Sequence, residues 1–219
     1  MANSQALISL KEVGYQINKQ QILSNISLNI YQGDSIAIVG PSGSGKSTLL
    51  KLIGSLLSPT EGNIYFNGID LMQINPIEYR QSVSYFFQNA VLFDETVRDN
   101  LAFPAMIRQD SFDEQRAIDS LEKVRLNASY LDKEIFELSG GEKQRIALVR
   151  NLIYMPSVLL LDEVTSSLDP TNRDIILNYV RQLNVENGIP IIWITHNTDD
   201  TQYFNRLLKI EGGLMEELK

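Results

Sequence analysis

The stretch Gly40-Pro41-Ser42-Gly43-Ser44-Gly45-Lys46-Ser47-Thr48 constrains this chain more than any other. It follows the apolar run Ile36-Ala37-Ile38-Val39 and precedes Leu49-Leu50-Lys51-Leu52-Ile53, so a buried strand must end in a glycine turn and restart as a helix. Glycines at 43 and 45 let the backbone curl until successive N–H groups point inward, which makes a nest for an anion. A helix opening at Lys46 adds its positive dipole end at the same spot. The spacing G-x-x-x-x-G-K-[ST] from Gly40 to Ser47, in that strand–turn–helix context, is a nucleotide phosphate loop. Lys46 then neutralises β- and γ-phosphate charge, and the Ser47 hydroxyl is placed to ligate Mg²⁺. A glycine turn with no ligand is the competing reading, and the flanking strand and helix weigh against it.

Val158-Leu159-Leu160-Leu161-Asp162-Glu163 supplies the other half of such a site. Four apolar residues fit a central strand that delivers Asp162 to its C-terminal end, where a carboxylate can hold Mg²⁺ through its water shell. Glu163, one residue on, can polarise an attacking water. An acidic pair after a strand also serves simply to cap the next helix. Joined to the phosphate loop, it reads as phosphate chemistry.

Leu138-Ser139-Gly140-Gly141-Glu142-Lys143-Gln144-Arg145 opens a predicted helix that runs to about Tyr154. Ser139 and the bare amides of Gly140 and Gly141 sit at its N-terminus and form a second anion-binding position. Taken alone, Ser-x-x-Glu is equally a helix capping box. With one copy of each position per chain, the second is useful only if it reaches a phosphate from the opposite side, so a dimer is expected.

Around these motifs the pattern alternates strand and helix. Residues 7–17 and 21–30 alternate apolar with polar side chains and are parted by Asn18-Lys19-Gln20, which predicts antiparallel strands at one edge. A helix from 46 to about 57 closes at Ser58-Pro59; strands follow at 62–66, turned by Asn67-Gly68, and at 83–87, running into Gln88. Residues 89–138 carry helical periodicity with no strong strand. Strands resume at 158–161 and 189–195 with a helix at 172–187 between them, then a short helix at 199–204 and a final strand at 206–210. The expected fold is α/β: a parallel-sheet core over 1–88 and 146–219, an N-terminal antiparallel β subdomain, and a helical insert over 89–145 that carries the serine-diglycine motif. No internal repeat, low-complexity block or long linker interrupts it.

Composition narrows the chemistry. At 219 residues, 43% apolar and 21% charged, the chain suits one globular domain with two lobes. No cysteine and one histidine exclude disulfides, iron–sulfur clusters, thiolate zinc and multi-histidine metal sites. A net charge of −8 argues against nucleic acid or an anionic bilayer as a direct partner. The longest apolar runs fall far short of the ~20 residues that cross a bilayer. Met1-Ala2-Asn3-Ser4 shows no basic stretch followed by an apolar one, so no secretory leader is expected. A cytosolic protein is expected, reaching a membrane only through a protein partner.

Taken together, Gly40 to Thr48, Gln88, Leu138 to Glu142, Asp162-Glu163, Ser167-Leu168-Asp169 and His196 resemble, in this order, the motifs of ATP-binding cassette ATPases, the nucleotide-binding subunits of ABC transporters. The resemblance covers essentially the whole chain. It implies a RecA-like P-loop NTPase core and two MgATP bound between two copies of the chain. Glu163 then orients water, with Lys46, the signature amides and His196 stabilising the charge that spreads over the γ-phosphate. Gln88 is similar to the glutamine that senses Mg²⁺ and the membrane partner, although an isolated glutamine at a strand end is usually a surface residue. Ser139 and Gly141 resemble donors that clamp the nucleotide held by the other protomer. Asp169 resembles the aspartate of the loop linking the two sites, and Leu168-Asp169-Pro170 also reads as a plain helix entry. His196 resembles the switch histidine at the γ-phosphate, where a lone histidine is otherwise more often structural. Ile17 stands where the family commonly stacks an aromatic ring on adenine, with Tyr15 two residues earlier on the same strand face, so adenine stacking stays open between them. Val164 stands where import systems frequently have proline.

The resemblance also implies an integral membrane permease as partner, with the chain peripheral on the inner face of the cell membrane. Tyr79, Phe86 and Phe87, with the insert's start at 89–100, offer aromatic residues for a groove that takes a short permease helix; filling the insert's own small core is the alternative. Residues 79–85, 92–101 and 137–150 are similar to the Fet-type bacterial ATPases of iron export. Plant aluminium-tolerance half-transporters share that pattern, which leaves the cargo open. The rival reading is a soluble ABC-type ATPase acting as a mechanical switch on DNA or ribosomes, which calls for two cassettes or a long coiled-coil or basic insertion. A small P-loop kinase or GTPase leaves Leu138 to Glu142 unexplained.

Overall fold

A computed structural model describes residues 5–89 and 91–219, the side chains of Thr198 and Asp199 aside; the Met1-to-Ser4 stretch read for a leader, and Ala90 at the start of the insert, lie outside the described residues. Strands β1 (Ile8–Ile17) and β2 (Gln20–Ile30) pair antiparallel across Asn18 and Lys19. Both turn residues hold positive φ, 49° and 66°, which suits the right-handed twist of a hairpin. β3 (Ser35–Val39) feeds the glycine loop and helix α1 (Lys46–Ile53). α1 stops short of the expected residue 57 because Ser55 turns left-handed at φ 53°, its N–H bonding the Leu52 carbonyl at 3.1 Å and that of Leu56 the Lys51 carbonyl at 2.8 Å. β4 (Glu61–Phe66) and β5 (Ile69–Asp70) turn about Asn67-Gly68 and complete a four-stranded sheet, order β2-β1-β4-β5.

Helix α2 (Pro76–Ser82) was not expected from the sequence. Asn75 caps it, its side chain accepting from the Ile77 N–H at 2.9 Å, and Pro76 occupies its first turn. Only Tyr79 is buried in it, so no apolar stripe announced it. β6 (Val83–Phe86) follows, then α3 (Val97–Met106), α4 (Glu114–Lys123) and α5 (Gly140–Leu152), the last ending before Tyr154. β7 (Val158–Asp162), α6 (Pro170–Asn187), β8 (Ile191–Ile194) and β9 (Arg206–Glu211) finish the alternation. The short helix expected at 199–204 is a 3-10 turn over Thr198–Tyr203. β9 is not the final strand: Gly212 and Gly213, at φ 57° and 79°, turn the chain into β10 (Leu214–Glu217), a hairpin that the glycine pair signals.

The second sheet runs β10-β9-β3-β8-β7-β6 and is parallel except for β10. Its two faces belong to two cores, and the strand period of two assigns them. Ile36, Ile38, Val158, Leu160, Ile192 and Ile194 face α1 and the antiparallel sheet. Ala37, Leu159, Leu161, Ile191 and Trp193 face α5 and α6 and are continuous with the small core of α3 and α4. A strand buried on both faces must be apolar throughout, and that is why β3, β7 and β8 read as unbroken runs. α5 crosses the expected 145/146 boundary without a break, packing on α3 and α4 and also on β6 and α6.

Candidate active site

The C-terminal edge of the parallel sheet gathers the chemistry. Gly40 leaves β3 at φ 145°, and a Cβ there would lie 2.1 Å from the Ile210 carbonyl oxygen of β9. Gly45, at φ 105°, would drive a Cβ to 2.8 Å from Leu23 Cδ2. Both positions therefore require glycine, and they aim the loop at α1. Pro41, Ser42 and Gly43 are exposed, Ser44 and Gly45 are buried, and Ser47 and Thr48 are half-buried. Lys46 is buried with its Nζ donating to the Gly40 and Pro41 carbonyls, 2.9 Å each, so the ammonium sits inside the curl. Ser44 Oγ, also buried, has no hydrogen-bond partner among the described residues.

β7 is fully buried through Leu161 and ends at Asp162, where Oδ1 accepts from Ser47 Oγ at 2.9 Å. Oδ2 accepts from Tyr85 OH at 2.7 Å, a contact that no sequence motif pointed to. Burial first, then the Asp162 carboxylate, pushes the Tyr85 phenol far above its ordinary range, so it stays a donor. Glu163 then leaves the sheet with φ 53°, a left-handed conformation that costs a non-glycine residue energy and recurs at functional sites. Its Oε2 accepts from Gln88 Nε2 at 3.1 Å, and its Oε1 lies 2.6 Å from His196 Nε2. Glu163, His196, Thr165 and Arg173 border a cleft of about 500 Å³.

Ser47 and Tyr85 thus bond Asp162, and Gln88 and His196 bond Glu163, two hydrogen-bonded groups set side by side because their carboxylates are consecutive residues. Gln88 is turned toward Glu163 and the Ser166 hydroxyl rather than bonded to Ser47 or Asp162, although all three line a second cavity of about 680 Å³. Hydroxyl and carboxylate oxygens are hard donors, and among the described residues no group of three His, Cys, Asp or Glu could hold a metal ion. A Mg²⁺ carried mainly by nucleotide phosphates and water, with one hydroxyl and one carboxylate, fits that donor set.

The serine-diglycine motif starts α5. Ser139 is its N-cap, and Glu142 Oε2 accepts from both the Ser139 N–H, at 2.7 Å, and Ser139 Oγ, at 2.8 Å. Tyr130 OH also bonds Glu142 and is the main cause that holds its carboxyl down to about 2. Ser139 and Gly140 are exposed, with nothing within 4 Å of a Cβ built at Gly140. At Gly141 the same Cβ would fall 2.5 Å from Asn172 Cγ, so α6 packs directly on this turn. Asp169 caps α6, its Oδ1 accepting from the Asn172 N–H at 3.1 Å. The motif thus serves as a helix cap and still leaves Ser139 and Gly140 open to solvent.

At the expected adenine position the strand register slips between Tyr15 and Gln16, and the two candidate side chains part company. Tyr15 packs partly buried on the core shared with the antiparallel sheet, and Ile17 stays 49% exposed. Of the three aromatic residues expected to line a groove, Tyr79 and Phe86 are core and only Phe87 is exposed. A groove of about 390 Å³ exists nearby, lined instead by Ile77, Phe93, Phe103, Ile107 and Tyr154, with Arg80 and Arg108 at its polar edge. Among the described residues no helix is long and apolar enough to cross a membrane.

Comparison with known proteins agrees with this geometry. Residues 23–166 match the family described as ABC transporter. The chain is 43% identical over its full length, and over 98% of the relative, to the probable iron export ATP-binding protein FetA of Escherichia coli. It is 36% identical to the lipoprotein-releasing system ATP-binding protein LolD of Myxococcus xanthus, covering 97% of this chain and 99% of that one. Among solved structures, the dimeric post-hydrolysis state of the ATP-binding cassette MJ0796 with ADP and Pi superposes with a TM-score of 0.85 at 29% identity, over 97% of this chain and 99% of the other. Fold, motif order and relatives converge: this chain belongs to the ABC transporter family, as one of its ATP-hydrolysing cassettes.

Proposed function

We propose that two copies of this cassette close around two MgATP, each nucleotide lying between residues 40–48 of one copy and Ser139, Gly140 and Gly141 of the other. The observation that carries the reading is the pair of hydrogen-bonded groups Ser47–Asp162 and Gln88–Glu163–His196 set side by side next to Lys46, with the helix N-terminus at Ser139 and Gly140 exposed elsewhere on the same chain. Lys46 and the loop amides hold the β- and γ-phosphates, and the partner's signature amides complete the cage. Glu163, released from Gln88 or His196, orients a water in line with the γ-phosphate, and His196 donates to the charge that develops there. Ser47 and Asp162 would hold Mg²⁺, which when bound would neutralise phosphate charge.

The helical segment 89–145 serves as the subdomain that presents the signature, and the groove of Ile77, Phe93, Phe103 and Ile107 receives a short helix of a separate membrane permease. That seats the chain on the cytoplasmic face of the membrane. Likeness to the E. coli iron-export protein makes metal, and iron first, the cargo supported best. The switch on DNA or ribosomes is set aside: the matched relatives carry transport names.

Glu163→Gln tests the reading. With MgATP the variant shifts in molecular mass from monomer to a trapped dimer with little turnover. An unchanged monomer that still hydrolyses ATP would refute it. For the cargo, cells lacking the chain should accumulate iron, and unaltered cellular iron would remove that assignment.

A further inference from the structure

Asp162 is gripped from two sides by hydroxyls on different elements. Ser47, in the first turn of α1, donates to Oδ1 at 2.9 Å, and Tyr85, on β6, donates to Oδ2 at 2.7 Å. With one oxygen committed to each, the carboxylate cannot rotate without breaking a bond. Tyr85 is itself fixed. It sits opposite Leu160 in the parallel β6–β7 pair, and its carbonyl accepts from Asn151 Nδ2 at 3.2 Å. Its ring lies 4.7 Å from that of Phe87 and so close to Gly54 that a Cβ there would come within 3.2 Å of Cδ2. The same residue lines the 680 Å³ cavity together with Ser47, Gln88 and Asp162.

We propose that Tyr85 is a positioning residue for the cation site: it locks Asp162 so that the Oδ1 edge, shared with Ser47, stands ready for the Mg²⁺ that arrives with nucleotide. The inference rests on the phosphate-site reading above and assigns a role to a residue outside its motifs. Removing the hydroxyl leaves ring packing intact and frees one carboxylate oxygen, so Mg²⁺ must then pay the cost of orienting it.

The test is Tyr85→Phe introduced into the Glu163→Gln chain. Affinity for a fluorescent ATP analogue in EDTA should stay within about twofold of the Glu163→Gln parent. The Mg²⁺ concentration that half-saturates the nucleotide-trapped dimer should rise about tenfold, the equivalent of ~1.4 kcal/mol. Thermal melting without nucleotide monitors the fold. An unmoved Mg²⁺ half-point, or an equal loss of affinity with and without Mg²⁺, overturns the positioning role whatever the melting temperature. A parent with no Mg²⁺-dependent dimer refutes the site reading itself and this inference with it.

Discussion

Gly141→Ala separates packing from phosphate binding at the signature turn. A methyl at this position would lie 2.5 Å from Asn172 Cγ and Nδ2, closer than real side chains approach. Asn172 is short and its side-chain Nδ2 already donates to Asp169 Oδ2, so it has little room to retreat. Overpacking of this kind costs about 1–3 kcal/mol. Against it stands the helix preference of alanine over glycine, at most about 1 kcal/mol. The net expectation is a loss of about 1 kcal/mol, or roughly 2–4 °C in Tm for a chain of this size. In an Asn172→Ala background the methyl has space, only the helix preference remains, and the sign reverses to a small stabilisation. Gly140→Ala, with nothing within 4 Å, should never destabilise by a clash. Urea unfolding of the four members of the cycle, without nucleotide, reads the coupling directly. A coupling energy within about 0.5 kcal/mol of zero would refute the contact as the reason position 141 is glycine.

Glu142 makes stability depend on acid. Its folded carboxyl, held to about 2 by Tyr130 and then by the Ser139 N–H and hydroxyl, lies below the ordinary glutamate value of 4.5. The depressed value means its contribution is complete above 4.5 and fades as pH falls toward 2. Urea midpoints of Glu142→Gln should therefore fall less steeply than wild type across that window, and parallel curves would refute the assignment. In the core, Leu160→Ala should cost about 2–5 kcal/mol in urea unfolding, because Leu160 is fully buried between α1 and the sheet. A cost below about 1 kcal/mol would show that this layer is not tightly packed.

What the sequence displays well is what the backbone dictates. β3, β7 and β8 are legible because strands buried on both faces leave no room for polar residues, and the glycine loop because Gly40 and Gly45 meet neighbouring chain that no Cβ could clear. α2 is invisible because one buried side chain makes no pattern. The slip beside Tyr15 is equally silent, since irregular register depends on the partner strand and not on the residues that slip. At the site, Lys46, Ser47, Asp162, Glu163 and His196 stand next to one another or at strand ends, where motif spacing finds them. Tyr85 with Asp162, and Asn172 with Gly141, are pairs joined only by folding, the first across 77 residues. No local pattern encodes such a pair, and only packing reveals it.

Helix α5 is fastened along its length. Gln144 Nε2 donates to the Val164 carbonyl at 2.8 Å, Arg150 to Asn100 Oδ1 and the Val91 carbonyl at 2.9 Å each, and Asn151 to the Tyr85 carbonyl at 3.2 Å. Thirteen residues make a rod of about 20 Å. A tilt of about 10° about Gln144, which is tied to the Val164 carbonyl, would carry Ser139, about 7 Å away along the axis, by roughly 1 Å, and Asn151, about 10 Å away on the other side, by roughly 2 Å. Arg150 and Asn151, at the opposite end, border the Ile77–Phe103 groove. Displacement at the Ser139 end and deformation of that groove would be two readings of a single rotation.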